Sequence, residues 1–159
     1  MKITILCVGK VKEKYFTGAI EEYAKRLSRY CKLEIIEVAD EKTPDGASST
    51  LEEQIKQKEG ERLLKYIPED AYVCVLAIEG KQLTSEQLSE KIGELGVRGV
   101  SHIVFIIGGS LGLWDAVIKK ADFLLSFSKM TFPHQLMRVV LLEQIYRGYR
   151  ILQGEPYHK

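Results

Sequence analysis

Long apolar runs are missing from this 159-residue chain. No stretch approaches the ~18 apolar residues that a membrane span needs, and the first run, Ile3 to Val8, is too short and too weakly flanked for a signal peptide. The expectation is a cytoplasmic protein with no membrane partner. Cysteine is scarce as well. Cys7, Cys31 and Cys74 are odd in number, far apart and set at or beside apolar runs. Without a C-x-x-C pair or paired histidines they suit neither a disulfide framework nor a zinc site, and they read as reduced core residues with no metal to hold.

A surplus of either charge is lacking too, since the formal net charge is only +1. Composition alone therefore does not announce a nucleic-acid partner. The distribution is less even than the total: residues 119–159 carry seven Lys and Arg against three Asp and Glu. A second basic cluster, Lys10, Lys12 and Lys14, follows the first apolar run, and the two together suit phosphates. Two phosphate-binding signatures are absent. There is no G-x-G-x-x-G after the first strand with an acid ~20 residues on, and no G-x-x-x-x-G-K-[ST].

What is present is enough apolar material, 45% of residues, for one core, and residues 1–159 read as a single domain. "KITILCVGK", "LEIIEVAD", "AYVCVLAIEG", "HIVFII" and "ADFLLSFS" are strand candidates. Between them, Phe16, Ile20, Tyr23, Leu27 and Tyr30 recur at three or four, as do Leu88, Ile92 and Leu95, which predicts helices over 13–30 and 85–95. Thr50 with Glu53 predicts a capping box for a helix that carries Ile55, Leu63 and Leu64. A short helix is predicted over 114–120. The last helix, 133–150, is apolar around much of its circumference and must be buried on more than one side. Strands apolar on both faces and alternating with helices belong to α/β folds, with a mainly parallel sheet and helices on both faces.

Ligands of such sheets bind beyond the carboxyl ends of the strands. Three loops stand out there: "LAIEGKQL", "IGGSLG" and "SFSKMTFPHQ". The third alternates hydroxyl, aromatic and cationic residues, which suits a flat polar ligand. The second contains Gly108-x-Ser110-x-Gly112, the spacing of a hydrolase nucleophile elbow. A serine hydrolase is therefore an alternative reading, with Asp122 and His134 or His158 completing a triad. Against it, no oxyanion loop of the H-G-G-G kind is present, and His134 after Pro133 at a helix start reads as structural or capping. A non-enzymatic RNA-binding module is a third reading, with the basic C-terminal part as its footprint.

The ordered set "LAIEGK", "FIIGGSLGL", "SFSKMTFPHQLMRVVLLEQIYRGYRI" and the terminal "PYHK" resembles the RlmH family of SPOUT methyltransferases, and the resemblance covers the whole chain. It implies an enzyme that uses S-adenosyl-L-methionine to methylate N3 of a pseudouridine in 23S ribosomal RNA of the large subunit, as a homodimer acting on assembled ribosomes. It also implies a trefoil knot near the C-terminus, against the general rule that chains do not thread loops. Carried over residue by residue, it implies a cofactor pocket of Leu76, Gly108, Phe127, Ser128, Lys129, Met130, Thr131 and Phe132. Ser110 is then no nucleophile, because a methyl on a sulfonium is already activated and needs only in-line approach and help with a proton. Arg147, Tyr157 and Lys159 are expected on the RNA substrate. His158 is the candidate for the proton, as an imidazole titrates in the useful range.

Overall fold

A computed structural model describes residues 1–159. Strands β1 (Lys2–Val8), β2 (Lys32–Val38), β3 (Tyr72–Gln82), β4 (His102–Ile107) and β5 (Phe123–Ser126) form one sheet in the order β2-β1-β4-β3-β5, and every pairing is parallel. The helices between and after them are α1 (Lys14–Leu27), α2 (Ser49–Leu64), α3 (Ser85–Val97), α4 (Asp115–Ile118) and α5 (His134–Leu152).

Alternation along the two central strands sorts the core into two layers. Ile3, Ile5 and Cys7 of β1 and Ile103, Phe105 and Ile107 of β4 pack with Leu27 of α1, Leu88, Ile92 and Leu95 of α3, and Leu141, Leu142 and Ile145 of α5. Leu6, Val8, Val104 and Ile106 point the other way, onto Leu63 of α2 and Val117 of α4. Helices thus cover both faces, as expected of parallel strands that are apolar throughout.

Two local readings are corrected. The N-cap of α2 is Ser48, whose hydroxyl accepts the Leu51 amide at 3.2 Å, so Thr50 lies inside the first turn and forms no capping box. Glu53, the would-be partner, pairs instead with Lys56. A capping box does occur at α3, where the Thr84 hydroxyl accepts the Gln87 amide and the Gln87 side chain accepts the Thr84 amide. Nor does His134 cap α5: Pro133 occupies the N-cap, and no side chain bonds to that end.

Helix α5 packs between α1 and α3 on one face of the sheet. The Ser89 hydroxyl donates to the Gly148 carbonyl at 2.8 Å, a contact that needs small residues on both helices. Near its start, Arg138 is 1% exposed; one guanidinium nitrogen donates to the Val8 and Gly9 carbonyls and the other pairs with Glu37. That side chain ties α5 to the carboxyl ends of β1 and β2. Leu136 and Val139, on another side of α5, remain half-buried.

Candidate active site

The carboxyl edge of the sheet holds a cavity of about 520 Å³, within the usual range for small-molecule sites. Its walls are the irregular second half of β3, where the sequence alone predicts a loop after the strand, and the loops that leave β4 and β5. Leu76, Ala77, Ile78 and Glu79 come from β3, where pairing with β5 shifts register between Leu76 and Lys81. Gly80, inside that irregularity, lies so close to β5 that an added Cβ would stand 2.7 Å from the Leu124 backbone. The loop after β4 supplies Gly108 to Leu113, and the loop after β5 supplies Phe127, Ser128, Met130, Thr131 and Phe132.

The glycines of the middle loop serve the loop's own packing first. At Gly108 a Cβ would meet Leu113 Cγ at 2.9 Å. The Gly112 amide donates to the Gly109 carbonyl at 3.1 Å and closes a tight turn, in which Gly112 takes φ +86°. Behind the turn stands Glu59 of α2, which is 5% exposed and accepts the Glu41 amide at 3.0 Å. Burial, then the nearby Asp40, raises its carboxyl above the usual range.

Of the residues expected at the cofactor, Leu76, Gly108, Phe127, Ser128, Met130, Thr131 and Phe132 line this one cavity, and Lys129 does not. Ser128 folds its own loop, its hydroxyl accepting the Met130 amide and its carbonyl accepting the Ser126 hydroxyl. Sequence reasoning missed His134, Met137 and Lys56, which also line the cavity. The i, i+3 spacing of His134 and Met137 on α5 was the available signal. Burial, then the Arg138 charge, lowers the His134 pKa, and its ring has no hydrogen-bond partner in the chain. It is therefore a neutral imidazole facing the cavity at pH 7.

The residues expected on RNA lie elsewhere. Arg147 stands thirteen residues beyond His134 on α5, about 20 Å along the helix. It pairs with Glu143 at 2.6 Å and covers the Tyr157 ring at 4.7 Å. Tyr157 packs edge-on to Tyr146 at 4.9 Å and donates its hydroxyl to Glu143, while burial and Glu143 hold the phenol protonated. His158 bonds through Nδ1 to Arg147 at 3.0 Å and through Nε2 to Glu86 at 2.6 Å. Because arginine only donates, Nδ1 accepts and Nε2 carries the proton. None of Arg147, Tyr157, His158 and Lys159 lines the cavity. The C-terminal tail is docked rather than frayed, and much of the basic surplus is internally paired: Arg138 with Glu37, Arg147 with Glu143 and Arg150 with Glu155.

The serine-hydrolase reading fails on this geometry. Asp122 precedes β5 and accepts the Val73 amide at 2.8 Å, which fixes it at the amino ends of β3 and β5. Ser110 lies beyond the carboxyl end of β4, on the opposite edge. No residue other than glycine takes a positive φ, so Ser110 lacks the strained backbone of an elbow. Thiol chemistry is also remote, as burial pushes Cys7 and Cys74 up to about 12 and Cys31 to about 11. No cluster of three or more His, Cys, Asp or Glu side chains is placed to hold a metal ion, and no helix is long and apolar enough to cross a membrane.

A five-stranded parallel sheet with helices on both faces and a cavity at its carboxyl edge defines an α/β protein whose cavity stands where ligands of such sheets bind. The family model described as "Predicted SPOUT methyltransferase" matches residues 1–158. Curated relatives named "Ribosomal RNA large subunit methyltransferase H" are 72% identical in Bifidobacterium adolescentis, 64% in Bifidobacterium animalis subsp. lactis and 62% in Clostridium kluyveri, each over the full length of both chains. The chain belongs to the RlmH family of SPOUT methyltransferases. Its fold is shared with a solved "probable methylase family protein from Haemophilus influenzae Rd KW20", with a TM-score of 0.54 at 12% identity over 99% of this chain and 70% of that one.

Proposed function

We propose that this protein methylates N3 of a pseudouridine in 23S ribosomal RNA on assembled ribosomes, with S-adenosyl-L-methionine bound in the cavity at the carboxyl edge. The observation that carries the reading is the convergence of seven family-implied residues, from β3 and the loops after β4 and β5, on one cavity of about 520 Å³. The cavity fits such a group: apolar side chains make up twelve of its twenty-one lining residues, and the remainder offers backbone and hydroxyl groups for a polar molecule. When bound, the cofactor supplies a sulfonium-activated methyl. The chain's own part is to hold that group with the target nitrogen in line, exclude water and take up one proton.

The residues proposed for RNA and for the proton do not reach the cavity of their own chain. A homodimer solves this by placing the tail of one copy at the cavity of the other. The half-buried apolar pair Leu136 and Val139, together with Met130 and Phe132, which are 75% and 39% exposed, offers α5 and the cavity rim for such a contact. Within the docked tail, Arg147 occupies the only acceptor nitrogen of His158. When Arg147 turns to an RNA phosphate, that lone pair becomes free for the N3 proton. Lys159 and the Tyr157 hydroxyl then hold the target strand. The trefoil knot of SPOUT domains belongs to the same proposal, supported by family membership and by a β4 to β5 connection that passes β3 to reach the sheet edge.

Calorimetric titration with S-adenosylmethionine and S-adenosylhomocysteine tests the cavity assignment. Micromolar-range binding is expected in the native protein and none in Gly108→Trp. A folded native protein that binds neither compound would refute it.

A further inference from the structure

The segment "GKVKEKYF", Gly9 to Phe16, has no part in the cavity described above, yet it lies at its rim. A Cβ at Gly9 would stand 3.9 Å from His134 Nε2, and His134 lines the cavity. The Lys12 amide meets the Gln135 side chain at 3.4 Å, one residue further along α5. The segment is also anchored. Arg138 binds the Val8 and Gly9 carbonyls, and Glu37 accepts the Val11 amide at 3.1 Å.

Lys10 and Lys12 project from this anchored loop and Lys14 opens α1, all exposed and none within ion-pair distance of a carboxylate. The contrast with the arginines is sharp: every arginine except Arg98 is paired with a glutamate. Nine other lysines also lack a carboxylate partner, but only at this rim do three unpaired lysines fall within five residues. Next to them Tyr15 is 68% exposed, the most exposed aromatic side chain of the chain, and its ring is held edge-on by Phe16 at 4.6 Å. Free cations alternating along a fixed backbone, with a flat ring at the end, match what a single-stranded nucleic acid offers: phosphates at regular intervals and an unstacked base.

We infer that Lys10 to Tyr15, the loop after β1 with the first residues of α1, is the lip that holds unpaired ribosomal RNA next to the target nucleotide, with the three lysines on phosphates and Tyr15 stacked on a flanking base. The inference rests on the rRNA reading above. It adds an RNA contact made by the same copy that binds the cofactor, separate from the tail. Binding of native protein, Lys10→Ala/Lys12→Ala/Lys14→Ala, Tyr15→Ala and Tyr15→Trp to unmethylated ribosomes is measured between about 50 and 200 mM salt. Three lost phosphate contacts should reduce the slope of log K against log salt by about 2. Tyr15→Ala should weaken binding by about tenfold and Tyr15→Trp should restore it. Affinity for S-adenosylmethionine should stay unchanged in all of them, because none of these residues lines the cavity. An unchanged slope in the triple variant, with native methyl transfer intact, would overturn the inference alone. So would loss of the dimer in Tyr15→Ala by light scattering, which would make Tyr15 a subunit contact. Native protein that binds cofactor and neither binds nor methylates ribosomes would overturn the rRNA reading, and the inference with it.

Discussion

Glu59 shows how a single residue can shape the site without touching the cavity. Its carboxylate stands 3.2 Å from where a Cβ of Gly109 would be, and it holds the Glu41 amide, so it braces the loops after β2 and β4 together. Burial raises its folded pKa above the unfolded value. An acid raised in this way stabilises the fold fully only below the unfolded pKa, and that contribution is lost as pH rises through the folded pKa. Glu59→Gln keeps the acceptor and removes the charge. It should therefore raise the Tm at pH 8 and leave it nearly unchanged at pH 4, as followed by circular dichroism; an equal shift at both pH values would assign the effect to packing. Nothing in "EGERLL" marked this residue, because helix periodicity cannot show which loops a helix faces. The glycine turn was legible as a turn, but the reason for Gly108 was not. Leu113, five residues on, fills the space its side chain would need.

At the scale of elements, α5 carries both halves of the proposed chemistry. Its start lines the cavity through His134 and Met137, and its second half holds the tail. Arg138 fixes that start to β1 and β2. Arg138→Met should cost about 3 kcal/mol, at the lower end of the range for breaking a buried ion pair, because Glu37 keeps part of its contact with water. Urea unfolding measures it, and a loss under about 1 kcal/mol would show that Glu37 and the two carbonyls are resolvated at little cost. The strands were legible because apolar runs of four to eight residues between turn signals have few other readings. The cap of α2 was misplaced by two residues because serines and Thr50 stand in a row and each can accept a first-turn amide. The docking of the tail was not legible at all, since it depends on Glu86 and Glu143 being brought beside residues 157 and 158 by the packing of α3 on α5.

For the molecule as a whole, the sheet order β2-β1-β4-β3-β5 could not be read from the strands, all of which carry the same kind of apolar pattern. That order brings the "LAIEGK", "FIIGGSLGL" and "SFSKMTFPHQ" segments to one edge, where the rule for parallel sheets places a ligand. The proposed dimer rests on the separation between tail and cavity. Light scattering at micromolar concentration should give twice the chain mass of 18.1 kDa. Mixing also tests the composite site: Gly108→Trp and a chain lacking residues 157–159 should each be inactive alone. Co-refolded, they should recover part of the activity through the one hybrid site that pairs an intact cavity with an intact tail; no recovery from proven heterodimers would contradict the exchange of tails. The central claim is tested most directly by incubating the native protein and labelled S-adenosylmethionine with ribosomes that lack the modification, then digesting the large-subunit RNA to nucleosides. The account predicts label in N3-methylpseudouridine and nowhere else. Label in another nucleoside, or none from a dimer shown to bind the cofactor, would contradict it.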